Sequence, residues 1–189
     1  MPLYDLSVES LSGLPDLHDV AVLSDCDNTL FDPITGEMYA DASDFLGKCG
    51  RMALVSANPD DELLEYRREL ASAEVAVNSD RPVWNKATMF QTALRELNLE
   101  RGSPVLVVGD RAVADVWVGR RVAMLAGLDV FGIRVQRPDV VSFGRADEAI
   151  RIGYGACRVA LERAGQAQRF RPIDNSPTAL VQYVDRRAS

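Results

Sequence analysis

"VAVLSDCDNTL", residues Val20 to Leu30, decides the fold. Its apolar start, with β-branched residues, reads as a buried strand, yet the strand ends on Asp25 and Asp27. Aspartate is a poor strand former and its charge is costly to bury, so a pair at such an end needs a reason. On extended backbone Asp25 and Asp27 project to one side and Cys26 to the other, toward a core. Asn28 and Thr29 follow with turn chemistry.

The same grammar recurs along the chain. "MALVS" at 52–56, "EVAVN" at 74–78, "PVLVVG" at 104–109 and "VFGIRVQ" at 130–136 are apolar runs separated by helical patterns. Those patterns are "NPDDELLEYRRELASA" with Pro and acids at its start, "NKATMFQTALRELNL", and a helix over about 112–126 closed by Gly127. Apolar strands alternating with helices predict an α/β fold: a three-layer, Rossmann-like core with a parallel sheet of about five strands. At 189 residues one domain is expected. Residues 1–140 form its core with a lead-in over 1–19, and 141–189 add a C-terminal helix near 145–165 and a tail packed on the same domain. The tail from Gln166 shows little periodicity.

Composition narrows the function classes. Hydrophobic content of 47% and charged content of 26% fit a soluble globular protein, and no apolar stretch reaches the roughly 20 residues that span a bilayer. "MPLYDLSVES" lacks a secretory signal, and Cys26, Cys49 and Cys157 suggest neither a disulfide framework nor a zinc site, so a cytoplasmic location is expected. A net charge of −7 argues against nucleic-acid binding through bulk positive charge, although Arg111 and "GRR" at 119–121 could make a local patch. His18 is the lone histidine and precedes the first strand, which excludes His-activated nucleophiles. Trp84 and Trp117 read as packing residues.

Ligands of open parallel sheets bind beyond the carboxyl ends of the strands. Those ends carry Asp25, Asp27 and Thr29, then Ser56 and Asn58, then Asp110 with Asp115 about a helical turn on; Lys86 opens the helix before the last of these strands. Taken singly, Asp27, Asn28, Ser56 and Asp110 could each cap a turn or helix. Together they gather carboxylates, hydroxyls and a lysine on one edge. Oxygen-only ligands favour Mg²⁺, which relieves carboxylate repulsion and neutralises phosphate oxygens. One carboxylate can attack phosphorus and another can move the proton, with lysine and hydroxyl groups on the phosphoryl oxygens.

These residues resemble the motifs of the haloacid dehalogenase (HAD) superfamily: "VAVLSDCDNTL" the first, "ALVSANPD" the second, "VVGDRAVADV" the fourth. The resemblance implies a phosphatase with Asp25 as nucleophile and Asp27 as general acid/base. It implies Thr29 supporting the loop, Ser56 and Asn58 at the phosphoryl group, and Mg²⁺ on Asp25, Asp110 and the backbone carbonyl of Asp27. Asp115 would orient the site by pairing with the lysine. A dehalogenase would lack Asp27. For the third motif the resemblance favours Lys86 in "NKATMFQTAL" as the catalytic cation, with Arg81 in "DRPVW" as the alternative.

About 27 residues separate Thr29 from Ser56 and about 30 separate Ser56 from Lys86, too few for an inserted cap domain. Over residues 5–137 the chain is similar to the capless, YqeG-like subclass IIIA phosphatases, which include phosphatidylglycerophosphate phosphatases. Their lead-in is a short helix-forming segment. The site is then open, or covered by the tail or by another subunit of a homo-oligomer, and suits a lipid head group, a nucleic-acid end or another bulky phosphate. Alternatives are a polynucleotide 3′-phosphatase or a phosphotransferase of the same superfamily. Outside enzymes, a non-catalytic HAD-fold scaffold or a receiver-like phospho-acceptor domain remains.

Overall fold

A computed structural model describes residues 4–78, 86–137 and 177–185. Arg81, Trp84, Cys157 and the helix expected at 145–165 lie outside the described residues.

Six strands form a single all-parallel sheet in the order β1-β6-β5-β2-β3-β4. They are β1 (Leu6–Val8), β2 (Leu17–Asp25), β3 (Cys49–Val55), β4 (Val75–Val77), β5 (Pro104–Gly109) and β6 (Asp129–Val135). The helices are α1 (Ala40–Leu46), α2 (Asp61–Leu70), α3 (Lys86–Leu97), α4 (Val118–Leu125) and α5 (Pro177–Asp185), and a π-helix over Ala112–Trp117 leads into α4.

β2 is central because both of its edges are paired: Leu23 lies opposite Ala53 on β3 and Val107 on β5. Alternation along it feeds two cores. Val20 and Val22 pack with Leu54, Leu64, Leu106 and Leu180 on one face, while Ala21 and Leu23 pack with Phe90, Leu94, Val107 and Val122 on the other. Helices therefore cover both faces, which explains why the central strands read as continuous apolar runs.

Three departures from the expected pattern have physical causes. The lead-in contributes a sixth strand in place of a helix-forming segment: Leu6 pairs with Ile133 and Val8 with Val135 at the sheet edge. Three residues are too few to show a period. The single helix expected over 112–126 instead starts with π geometry, where the Val116 N–H reaches back five residues to the Arg111 carbonyl at 3.2 Å. The tail, read as aperiodic, contains α5. Its Leu180 and Tyr183 are buried, and the Tyr183 hydroxyl donates to the Asp129 carbonyl at 2.8 Å. Among the described residues no helix is long and apolar enough to cross a membrane.

Candidate functional site

From β2 the chain moves outward through β3 to β4, then returns to β5 on the other side of β2 and continues outward to β6. The strand order thus reverses between β2 and β5. Such a reversal opens a crevice at the carboxyl ends of the two strands. Asp25 is the last residue of β2, and Asp110 directly follows β5.

One carboxylate oxygen each from Asp25, Asp110 and Asp115 lie within 4.8 Å of one another. Asp115 reaches this point because the π turn carries it back over the end of β5, where its Oδ2 accepts the Arg111 N–H at 3.0 Å. Gly109 is required by the same approach: a Cβ there would stand 2.4 Å from the Asp115 Cβ. The glycine of "VVGD" is thus a steric demand of the site.

Lys86, the first residue of α3, is 4% exposed. Its ammonium donates to Asp25 Oδ1, lies 3.0 Å from Asp115 Oδ1 and donates to the Val55 carbonyl at 3.3 Å. It thereby joins the ends of β2 and β3 to the π turn. Burial opposes its charge, yet Asp25 and Asp115 raise its pKa above the ordinary lysine value.

Three carboxylates against one ammonium leave excess negative charge out of water. Burial first, then the Asp115 charge, pushes Asp25 up to about 7 against the pull of Lys86. Burial and the charges of Asp25 and Asp115 push Asp110 up to about 8. Oxygen donors grouped this closely, two of them reluctant to ionise unaided, could hold a hard divalent cation.

Asp27 is not one of the group. Four carboxylates were expected to converge; three do, and the Asp27 carboxylate turns to α2, where Oδ1 accepts from Arg67 Nη1 at 2.8 Å. The loop that carries it is tight. The Cys26 carbonyl accepts the N–H groups of Thr29, Leu30 and Phe31, and Asn28 takes a positive φ of 59°, a conformation asparagine tolerates. Cys26 is fully buried in the core, as its alternation predicts, and burial raises its thiol pKa.

Thr29 is fully buried; its hydroxyl meets no partner among the described residues, and its carbonyl accepts from Arg137 at 2.6 Å. Ser56 lies one residue beyond Val55, the partner of Asp25 across the sheet. Its Oγ accepts the Asn58 N–H at 3.1 Å, and Asn58 Oδ1 accepts the Asp60 N–H at 3.1 Å. The α2 cap considered for Ser56 falls to Asp60, which accepts from the Leu63 N–H at 2.9 Å. Nor does Asp110 cap a helix: Arg111 holds the N-cap position of the π-helix.

Two arginines were missed in the sequence. Arg67 occupies the inward face of α2 between Leu64 and Ala71, a position where spacing calls for an apolar residue, and that misfit was its signal. Arg137 follows β6. It binds both Asp41 oxygens at 2.7–2.8 Å and lies 4.2 Å from the centre of the Tyr39 ring. With its bond to the Thr29 carbonyl, it ties the loop to α1. Asp41 also accepts the Leu11 N–H; although burial raises its pKa, Arg137 and Leu11 hold it below the usual range.

Fold and site together define an α/β protein with a buried aspartate–lysine cluster at the switch point of a parallel sheet. No protein-family model matches the chain, and no curated protein matches it. Among solved structures it is similar to a CobK precorrin-6A reductase, at 17% identity and a TM-score of 0.36. That match covers 72% of this chain and 46% of that one, so the chain spans less than half the length of this neighbour. A likeness of that size says nothing of activity.

Proposed function

We propose that the chain is a capless, HAD-type phosphatase that hydrolyses a phosphomonoester with Mg²⁺ through an aspartyl-phosphate at Asp25. The observation that carries the reading is the convergence of Asp25, Asp110, Asp115 and Lys86 at the switch point, with motif residues in the order the family uses. Asp25 and Asp110 would hold the ion, with the Asp27 backbone carbonyl that the resemblance adds; bound there, it supplies positive charge for the phosphoryl oxygens.

The free Asp25 oxygen attacks phosphorus as the bond to the leaving oxygen breaks, and the bonding pair departs with that oxygen. Asp27 gives the leaving oxygen a proton. Asp27, now a carboxylate, takes a proton from water as the water oxygen attacks phosphorus. The bond to Asp25 then breaks, and inorganic phosphate leaves. Lys86 holds Asp25 in place and balances charge on the phosphoryl group. Ser56 adds a hydroxyl at the next strand end.

The interval from Thr29 to Ser56 is occupied by a loop in which Phe31 bridges to Met38, and by seven-residue α1, which supports a site without a cap. A bulky phosphoester fits that openness. The test is hydrolysis of p-nitrophenyl phosphate with Mg²⁺, abolished by EDTA and by Asp25→Asn. Turnover retained in Asp25→Asn overturns the nucleophile. A phosphorylated Asp25 that accumulates without turnover would favour a receiver-like domain.

A further inference from the structure

Arg67 is a cost that packing alone does not explain. It is 2% exposed, on a face of α2 that also carries buried Leu64 and leads to buried Ala71 at the C-cap. Removing a guanidinium from water costs several kcal/mol, and a well-packed apolar side chain there would serve stability as well or better. Its Nε finds no partner among the described residues. What it does reach is Asp27 Oδ1 at 2.8 Å, with the Phe31 ring 5.0 Å from the guanidinium carbon. Asp27 and Phe31 belong to the one loop that leaves β2 after Asp25, and they are bridged to each other. Arg67 therefore fixes that loop at two points, one electrostatic and one cation–π.

We propose that Arg67 is a positioning residue for Asp27. The inference rests on the phosphatase reading and names what aims its proton-transfer group. Asp27 stands two residues from Asp25, and the buried cluster beside it is negatively charged, so repulsion alone would swing its carboxylate to solvent. Arg67 holds Oδ1 on the α2 side of the loop. The hydrogen bond that the Asp27 carboxylate accepts among the described residues falls on Oδ1, and the side chain is 29% exposed, which leaves Oδ2 for a leaving group in this proposal. A planar guanidinium, gripped between helix and ring, sets the direction of the carboxylate as a flexible ammonium would not.

The test separates aim from fold. Proton donation matters more as the leaving group becomes a stronger base. Arg67→Met should therefore lower kcat about 100-fold on an alkyl phosphate and far less on p-nitrophenyl phosphate, with KM unchanged. Arg67→Lys should show the same steepening at smaller size. Asp27→Asn should steepen the dependence more, and adding Arg67→Met to it should cost little further, since the two act as one unit. A purely structural arginine would lower the melting temperature and leave the leaving-group dependence as in wild type; that result overturns the proposal. If Arg67→Met does not fold, Arg67→Lys carries the test, and an unchanged dependence there overturns it equally. Wild type without Mg²⁺-dependent turnover on any ester would instead defeat the phosphatase reading itself. Activity in wild type that is lost in Asp25→Asn keeps that reading whatever Arg67 does.

Discussion

Lys86→Met keeps much of the length and apolar stem of the side chain and deletes its charge. In the wild type that ammonium, on a side chain 5% exposed, is shared by Asp25 and Asp115, whose side chains are 8% and 1% exposed. Without it, buried carboxylates face one another unpaired. Breaking a buried pair by removing one partner costs about 3–5 kcal/mol, because the orphaned charge remains in a poor medium. For a domain of this size each kcal/mol moves the melting temperature by roughly 2–4 °C, so the variant should melt roughly 6–20 °C lower.

The measurement is a thermal melt followed by circular dichroism, in EDTA at pH 8. Two controls give the loss its mechanism. Lys86→Met/Asp25→Asn should recover a large part of it, since the second change removes a charge the first left unpaired. Mg²⁺ should recover part of it by supplying positive charge at the same carboxylates. Lys86→Met melting within about 0.5 kcal/mol of wild type at pH 8 would be the behaviour of an ordinary surface substitution and would refute the reasoning. In turnover, a larger loss for Lys86→Met than for Arg81→Met identifies Lys86 as the cation of the site.

The raised carboxyls also predict the pH dependence of the metal-free protein. Asp25 and Asp110 bind their protons more tightly folded, at about 7 and about 8, than unfolded, near 3.8. Their stabilising contribution is complete below the unfolded value and is lost as pH rises through the folded values. Melting in EDTA should fall from pH 6 to pH 8.5, Mg²⁺ should add most at pH 8.5, and Asp25→Asn should flatten the profile; a rising profile would contradict the cluster. Gly109→Ala should cost about 1–3 kcal/mol by overpacking, because the new methyl meets the Cβ of Asp115 and must displace it. Turnover by its folded fraction should fall as well, and a variant equal to wild type in both would remove the steric account of that glycine.

Much of this site was legible in the sequence because it hangs on strand ends. A buried parallel strand announces itself as an apolar run, and its last residue is then located to within one or two positions. Asp25, Ser56 and Asp110 follow directly from that. Lys86 came from its place at a helix start, and the structure buries it where a surface lysine was the alternative. What was illegible is what depends on tertiary direction. Leu6–Val8 is too short for periodicity, and its strand state comes from β6 beside it. The π turn leaves the helical pattern of 112–126 intact while re-aiming Asp115 by one extra residue. Asp27 alternates with Cys26 as expected, yet its carboxylate pairs with Arg67 of α2, on a loop in which Asn28 takes a positive φ just past the strand end.

That turn assigns the two aspartates of "SDCDNTL" to different surroundings. Asp25 is buried against Lys86 and shares repulsion with Asp110 and Asp115, which suits a carboxylate that binds a cation or reacts. Asp27 is half-buried against a guanidinium and a ring, and its charge repels Asp25 less than that of Asp115 does. Two acids one residue apart can do different work only when their environments differ, and here the difference is built by one residue of α2 and one turn. The sequence spacing needed for such a division is therefore Asp-x-Asp followed by a residue that accepts positive φ. The arginine that completes it comes from forty positions later, and its local signal, a charge on the apolar face of α2, does not name its partner.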